Sequence, residues 1–278
     1  MFELFEKSTS GCSKLVTELY STSFSLGIKT LTKRFHEPIY GIYGFVRFAD
    51  EIVDTFHQFD KKYLLDKFKA DTYEAIEMGI SLNPILHSFQ KVVHQYKIDP
   101  KLIDAFLFSM EMDLGQIEYD DSKYKEYIYG SAEVVGLMCL KVFVEGNEEQ
   151  YESLKIDARS LGAAFQKVNF LRDLKSDYQE RGRVYFPQID MSNFSAYAKK
   201  EIEKDIQIDF DNALRGILNL PIGARSGVYL AYVYYLKLFK RIKKTSAAKI
   251  QTQRVRVPDF IKFTLLAKTL VKGRLGAL

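Results

Sequence analysis

A chain of 278 residues, 47% hydrophobic and 27% charged, has ordinary globular composition and is long enough to bury a large core. Cys12 and Cys139 are the only cysteines, too few for a disulfide framework, which points to a reducing cytoplasm. The net charge of +4 hides an asymmetry: over residues 237–278 twelve Lys or Arg stand against one acid, Asp259, so the remainder is acidic.

The opening MFELFEKSTSG has neither the basic nor the apolar region of a signal peptide. No window reaches the roughly 18 apolar residues of a transmembrane helix, and the longest apolar stretch, 132–144, is broken by Glu133 and Lys141. A soluble protein is expected. Its 18 Tyr and 21 Phe suit either a large apolar cavity or aromatic-rich helix packing.

In chain order, residues 12–34 alternate small polar and apolar positions and predict two short helices joined near Ser21-Thr22-Ser23. Hydroxyls at a helix start can cap it or donate to a phosphate held there. Pro38 then suits the first turn of a helix. On that helix Tyr43, Arg47, Asp50 and Asp54 fall at spacings of four, three and four, one stripe flanked by Ile42, Phe45, Val46 and Val53. Two acids and an arginine beside apolar groups must be paired, Arg47 with Asp50 for example, or must bind something.

Residues 60–100 read as structural helices, and the histidines at 36, 57, 87 and 94 show no metal-ligand spacing. Residues 101–145 carry MEMDL, an acidic turn, and then a mostly apolar helix. There Gly130, Ala132 and Gly136 allow close backbone approach or leave ligand space, and Tyr127 offers a hydroxyl to a cavity.

The stretch 166–187, QKVNFLRDLKSDYQERGRVYFP, repeats the stripe of acids. Asp173 and Asp177 lie about 6 Å apart along one helix face, with Asn169 one turn earlier. Arg172 sits alongside, and Arg183 and Tyr185 follow the expected helix end at Gly182. Oxygen ligands at one-turn spacing with guanidinium groups beside them suit a divalent cation carrying a phosphate. Paired with Asp50 and Asp54 across a cavity, these acids would repel one another unless cations bridge them. Beyond lie an acidic amphipathic region at 190–220, a long helix at 224–244, and a basic tail. In the tail Phe260, Ile261, Phe263, Leu265, Leu266 and Leu270 follow a helical rhythm, as either a surface helix or one lying near lipid headgroups. No strand alternation, glycine-rich phosphate loop, short-period repeat, nucleophilic triad or linker is found. The expected architecture is a single all-α domain over residues 1–278, a helical bundle with its ligand cavity between helices.

These residues resemble the squalene and phytoene synthase family of head-to-head prenyl diphosphate synthases. STSF at 21–24 is similar to an early signature of that family, YGFVRFADEIVD at 43–54 to its first aspartate-rich motif, and 166–187 to its second. MEMDL and YKEYIYGSAEVVGLM resemble its central segment, and the likeness spans roughly 15–245. Two departures stand out: Glu51 in place of a middle aspartate, and Glu133-Val134 where glycine and threonine are usual. The resemblance implies the isoprenoid synthase fold. It implies Mg2+, with Mn2+ as the alternative, held by Asp50, Asp54, Asn169, Asp173 and Asp177. It implies prenyl diphosphates bound by Ser21, Ser23, Arg47, Gln166, Asn169, Arg172, Arg183 and Tyr185, with Tyr43 and Tyr127 joining the four aspartates in catalysis.

The implied reaction is phytoene formation from two geranylgeranyl diphosphates through a cyclopropylcarbinyl diphosphate, with room for the longer chain left by Leu26-Gly27-Ile28. A C30 synthase using farnesyl diphosphate is the alternative. A non-catalytic assembly factor would have lost aspartates, and all four are present. A nucleic-acid binder resting on the basic tail leaves both acidic motifs unexplained, so no nucleic-acid partner is expected. Localisation is expected to be cytoplasmic, with peripheral membrane contact through the basic end as an option.

Overall fold

The computed structural model describes residues 1–115, 119–179, 183–187 and 194–274, and among these residues it has thirteen α-helices and no strand. Helix α1 (Phe2–Tyr20) is longer than its sequence pattern suggests, and meets α2 (Thr22–Lys29) at Ser21. Helices α3 (His36–Asp54), α4 (Lys61–Met78), α5 (Pro84–Tyr96) and α6 (Pro100–Leu114) follow. Side chains at three of the starts accept backbone N–H groups that have no partner within the helix: Asp60 from Tyr63, Asn83 from Ile85, and Asp99 from Lys101. Pro84 and Pro100 occupy first-turn positions, where a missing N–H costs nothing.

Helix α7 (Asp121–Ile128) passes through a π-helical turn, Tyr129–Glu133, into α8 (Val134–Phe143). The turn is wedged between two neighbours at distances only small residues permit. A Cβ on Gly130 would lie 2.4 Å from the Ala105 carbonyl oxygen, and one on Gly162 would lie 2.6 Å from that of Ala132. Next come α9 (Glu148–Gln179), α10 (Ala196–Asn219) and α11 (Ile222–Lys244), then the short α12 (Ala247–Ile250) and α13 (Asp259–Arg274). The helix end expected at Gly182 lies outside the described residues, as does the start of the acidic region expected from 190.

Buried apolar side chains form two clusters. One centres on α3, where Phe45 stacks on Phe89 with centroids 3.9 Å apart and meets Phe106 at 5.3 Å. The other joins α9, α10 and α11 through Phe210, Phe239 and Leu171. Between the two lies an apolar cavity. The basic tail forms α13 and packs against α11, with Ile261 against the second cluster and Phe260 left exposed. Among the described residues no helix is long and apolar enough to cross a membrane.

Candidate active site

The first acidic stripe lies at the C-terminal end of α3. Arg47 does not pair with Asp50; it is ion-paired with Glu51 one turn on, and its guanidinium lies 4.4 Å over the Tyr20 ring. The Glu51 that replaces the middle aspartate therefore has a structural task. Asp50 is left among carboxylates. Burial pushes its carboxyl up to about 7; Arg47 opposes the rise, and Asp54, Asp113 and Glu51 add to it. Tyr43, one turn before Arg47, lines the apolar cavity, and burial raises its phenol to about 12.

The second stripe lies near the end of α9. Arg172 forks onto Asp173, with Nη2–Oδ2 at 2.5 Å and Nε–Oδ1 at 3.1 Å. Arg254, from the segment before α13, reaches the same carboxylate with Nε–Oδ1 at 2.7 Å. Asn169 accepts a hydrogen bond from the Tyr235 hydroxyl at 3.3 Å, and both residues line the cavity with Gln166. Asp177 is buried, and its backbone carbonyl accepts the Arg183 N–H at 2.8 Å.

Arg183 brings the two stripes together. Its Nη1 lies 3.3 Å from Asp54 Oδ1 and 3.4 Å from Asp113 Oδ1, and its Nη2 donates to the Asp113 carbonyl oxygen at 2.8 Å. Burial opposes the guanidinium charge, but Asp113, Tyr185 and Tyr127 together outweigh it and hold the group above its usual range. Asp113 also accepts from the Tyr127 hydroxyl at 2.8 Å. Tyr127 thus points at the acidic head of the site and is not among the cavity-lining residues. Around it Tyr119 lies 5.2 Å away, and Tyr185 stacks on Phe170 at 4.1 Å. Burial raises the Tyr127 and Tyr185 phenols far above their usual value, so both stay neutral hydrogen-bonding groups.

Ser21 caps α2, accepting the Phe24 N–H at 3.2 Å, and Ser23 is half-buried in the first turn of that helix. Gly27 and Ile28 line the cavity, whereas Leu26 does not. Glu133 turns away from the cavity to pair with Arg159 at 2.6 Å, while Ser131, Ala132, Val135 and Gly136 form the wall. The acid therefore leaves the pocket apolar. Asp113, Tyr235 and Arg254 are site residues that the spacing of motifs does not reveal.

Among the described residues, no group of three or more His, Cys, Asp or Glu converges on a single metal position. The donors instead come as one pair of carboxylates per helix, Asp50 with Asp54 and Asp173 with Asp177. Mg2+ is commonly held by one or two carboxylates plus substrate phosphate oxygens and waters, not by an all-protein cage. Hard oxygen donors, and an Asp50 carboxyl raised by burial and then by its acidic neighbours, fit that manner of binding.

From this polar mouth the cavity, about 290 Å³, runs between the helices. Its wall on α9 extends from Asn169 to Leu154, about 22 Å at a rise of about 1.5 Å per residue. Phe24, Ile39, Val46, Phe143, Leu161 and Phe165 are among its apolar walls.

Residues 17–260 match the family model for squalene/phytoene synthase. Phytoene synthase 1, chloroplastic, from Solanum lycopersicum is 27% identical over 261 residues, covering 86% of this chain and 62% of that protein. The chain thus spans about three-fifths of that plant relative. 4,4'-Diapophytoene synthase from Staphylococcus haemolyticus is 25% identical over 203 residues, 72% of this chain and 69% of that protein. A crystal structure of a dehydrosqualene synthase in complex with ligand superposes with a TM-score of 0.79 at 21% identity, covering 98% of both chains. Squalene synthase HpnC from Alicyclobacillus acidocaldarius gives 0.74 at 17% identity, covering 86% of this chain and 94% of that one. The architecture is accordingly the isoprenoid synthase fold of these structures, and the chain belongs to the squalene/phytoene synthase family.

Proposed function

We propose that this chain acts as a prenyltransferase joining two geranylgeranyl diphosphates head to head to give phytoene, with release of two diphosphates and two protons. The observation that carries the reading is an apolar cavity that opens beneath two aspartate pairs tied together by Arg183. The main chain of a C20 prenyl group has about 16 carbons and extends at most roughly 19 Å, at about 1.25 Å of advance per C–C bond. A C15 chain reaches only about 14 Å by the same measure. The wall of about 22 Å along α9 favours the longer substrate.

Asp50, Asp54, Asn169, Asp173 and Asp177 would hold Mg2+, or Mn2+ in its place. The cation, when bound, would neutralise the diphosphates and stabilise them as leaving groups. Arg172, Arg183 and Arg254 would turn from the carboxylates they hold in the resting protein to the diphosphate oxygens, together with Arg47. The Ser21 and Ser23 hydroxyls lie at the start of α2 and would donate to the same group, with Gln166 below it. Departure of one diphosphate leaves an allylic cation at C1. The second substrate's C2–C3 double bond attacks it, and proton loss closes a cyclopropylcarbinyl diphosphate. Departure of the second diphosphate, rearrangement and a further proton loss give the hydrocarbon. Tyr43, at the boundary of mouth and cavity, and the apolar walls would keep water from the cations. Tyr127 and Tyr185 would brace Asp113 and Arg183. All the helices would serve this one prenyltransferase domain, working in the cytoplasm. The basic α13 would allow contact with an anionic membrane, into which an apolar product partitions.

A C30 reading, with farnesyl diphosphate as substrate, is favoured by the likeness to the diapophytoene synthase. Incubation with Mg2+ and C15 or C20 diphosphate side by side, with extraction and mass analysis, separates the two. A C40 hydrocarbon from the C20 substrate is expected. A C30 product alone transfers the proposal to the second reading, and no hydrocarbon from either substrate refutes both.

A further inference from the structure

Asp157 is the one charged side chain among the described residues lining the cavity. A carboxylate in an apolar wall is costly unless it is held. Asp157 is 8% exposed, and its Oδ1 accepts from Arg215 Nη2 at 2.8 Å. The Arg215 side chain is 63% exposed, so the pair reaches from the cavity to solvent and the wall here is one side chain thick. The neighbouring Gly216 explains the thinness. A Cβ there would lie 2.3 Å from Asp157 Cβ and 3.1 Å from Oδ2, so α9 and α10 approach at a spacing only glycine permits, with Asp157 filling the gap.

The pairing of the two helices fixes where this gap lies. Lys167 binds Asp209 at 2.8 Å, whereas Asp157, ten residues back along α9, meets Arg215 and Gly216 further along α10. The helices are antiparallel, and Asp157 lies away from the polar mouth. From Asn169 to Asp157 is about 18 Å at about 1.5 Å per residue. An extended C20 chain, at most roughly 19 Å, ends at this level, and one more prenyl unit adds about 5 Å.

We propose that Asp157, fixed by Arg215 and seated against Gly216, is a specificity-determining residue that limits prenyl chain length by narrowing the deep end of the cavity on its α10 side. The proposal rests on the coupling reaction proposed above. A longer chain must displace an ion-paired side chain or press apolar carbon against a carboxylate that water no longer reaches.

The test measures calorimetric affinities, with Mg2+, for unreactive S-thiolodiphosphate analogues bearing C15, C20 and C25 chains, beside product analysis with the true diphosphates. The wild type is expected to bind the C20 analogue at least about ten-fold more tightly than the C25 one. Asp157→Ala should bring the two within about three-fold and admit the C25 substrate to coupling. Asp157→Leu fills the same space without charge and should keep the wild-type preference. Should Asp157→Ala fail to fold by its melting curve, Asp157→Ser makes a smaller opening in the same place and should shift the ratio the same way. An unchanged C20-to-C25 ratio in the folded small-side-chain variant overturns the proposal, as does a Leu variant that binds C25 as well as Ala does. If no hydrocarbon forms from any chain but the binding ratios shift as stated, the coupling reaction fails and the length limit stands.

Discussion

Replacing Asp50 by asparagine should make the metal-free protein more stable at pH 8 while abolishing turnover. Burial and three acidic neighbours raise this carboxyl from the ordinary 3.8 to about 7. Between those values the folded protein keeps a proton that the unfolded chain has released. Folding there takes up a proton, and stability falls as pH rises through the window, levelling off above about 7. Each pH unit of the window is worth about 1.4 kcal/mol, which sets a ceiling of about 4 kcal/mol. Asp50 is only half-buried, and some water contact brings the expected penalty nearer to about 2 kcal/mol. Asparagine has the same shape and never ionises, so it should remove the decline. Urea unfolding of both proteins in chelator at pH 4, 6 and 8 reads the effect directly. The curves should coincide near pH 4 and separate by about 2 kcal/mol at pH 8. Added Mg2+ should restore the wild type and do far less for the variant. A variant that is less stable than the wild type at pH 8, or that shows the same slope from pH 4 to 8, refutes this account of the site.

Arg183→Met should lower kcat by about 100- to 1,000-fold, because a donor aimed at developing negative charge is lost. It should also destabilise the metal-free fold by about 3 kcal/mol, since Asp113 keeps a buried charge without its guanidinium. Steady-state kinetics and urea melts of the same preparation check both, and near-normal turnover would remove Arg183 from the site. Phe45→Ala, on the core-packed side of α3, should cost about 3–5 kcal/mol by emptying the centre of the Phe68, Phe89 and Phe106 stack. Denaturant titration measures it, and a loss under about 1 kcal/mol would show that the stack collapses to fill the space.

The helices and the two aspartate pairs were legible because both obey a short period. Apolar residues recur each turn, and Asp50–Asp54 and Asp173–Asp177 sit at the i, i+4 spacing that places them on one face. Partnership was less legible. Arg47 chooses Glu51 over Asp50, and no spacing rule separates two acids three and four residues away. Asp113 is a lone acid at the end of α6, given meaning only when Arg183 and Tyr127 close on it from distant helices. Arg254 meets Asp173 across 81 residues of chain. Glu133 reads as an intruder in an apolar segment, yet the π turn aims it outward at Arg159. Such a turn adds a residue to the helix without a composition signal. Asp157 belongs to no motif, and its place in the wall depends on Gly216, a residue of another helix.

Helix α9 carries Asp173 and Asp177 near one end and Asp157 towards the other on a single uninterrupted rod of 32 residues. Inserting or deleting one residue between them would swing one set about 100° relative to the other, moving either the acids off the mouth or the wall off the cavity. Lineages descended from such a chain can thus change the size of what they bind only by exchanging side chains in place. Length variation should be absent from this interval and tolerated in the connections on either side of it.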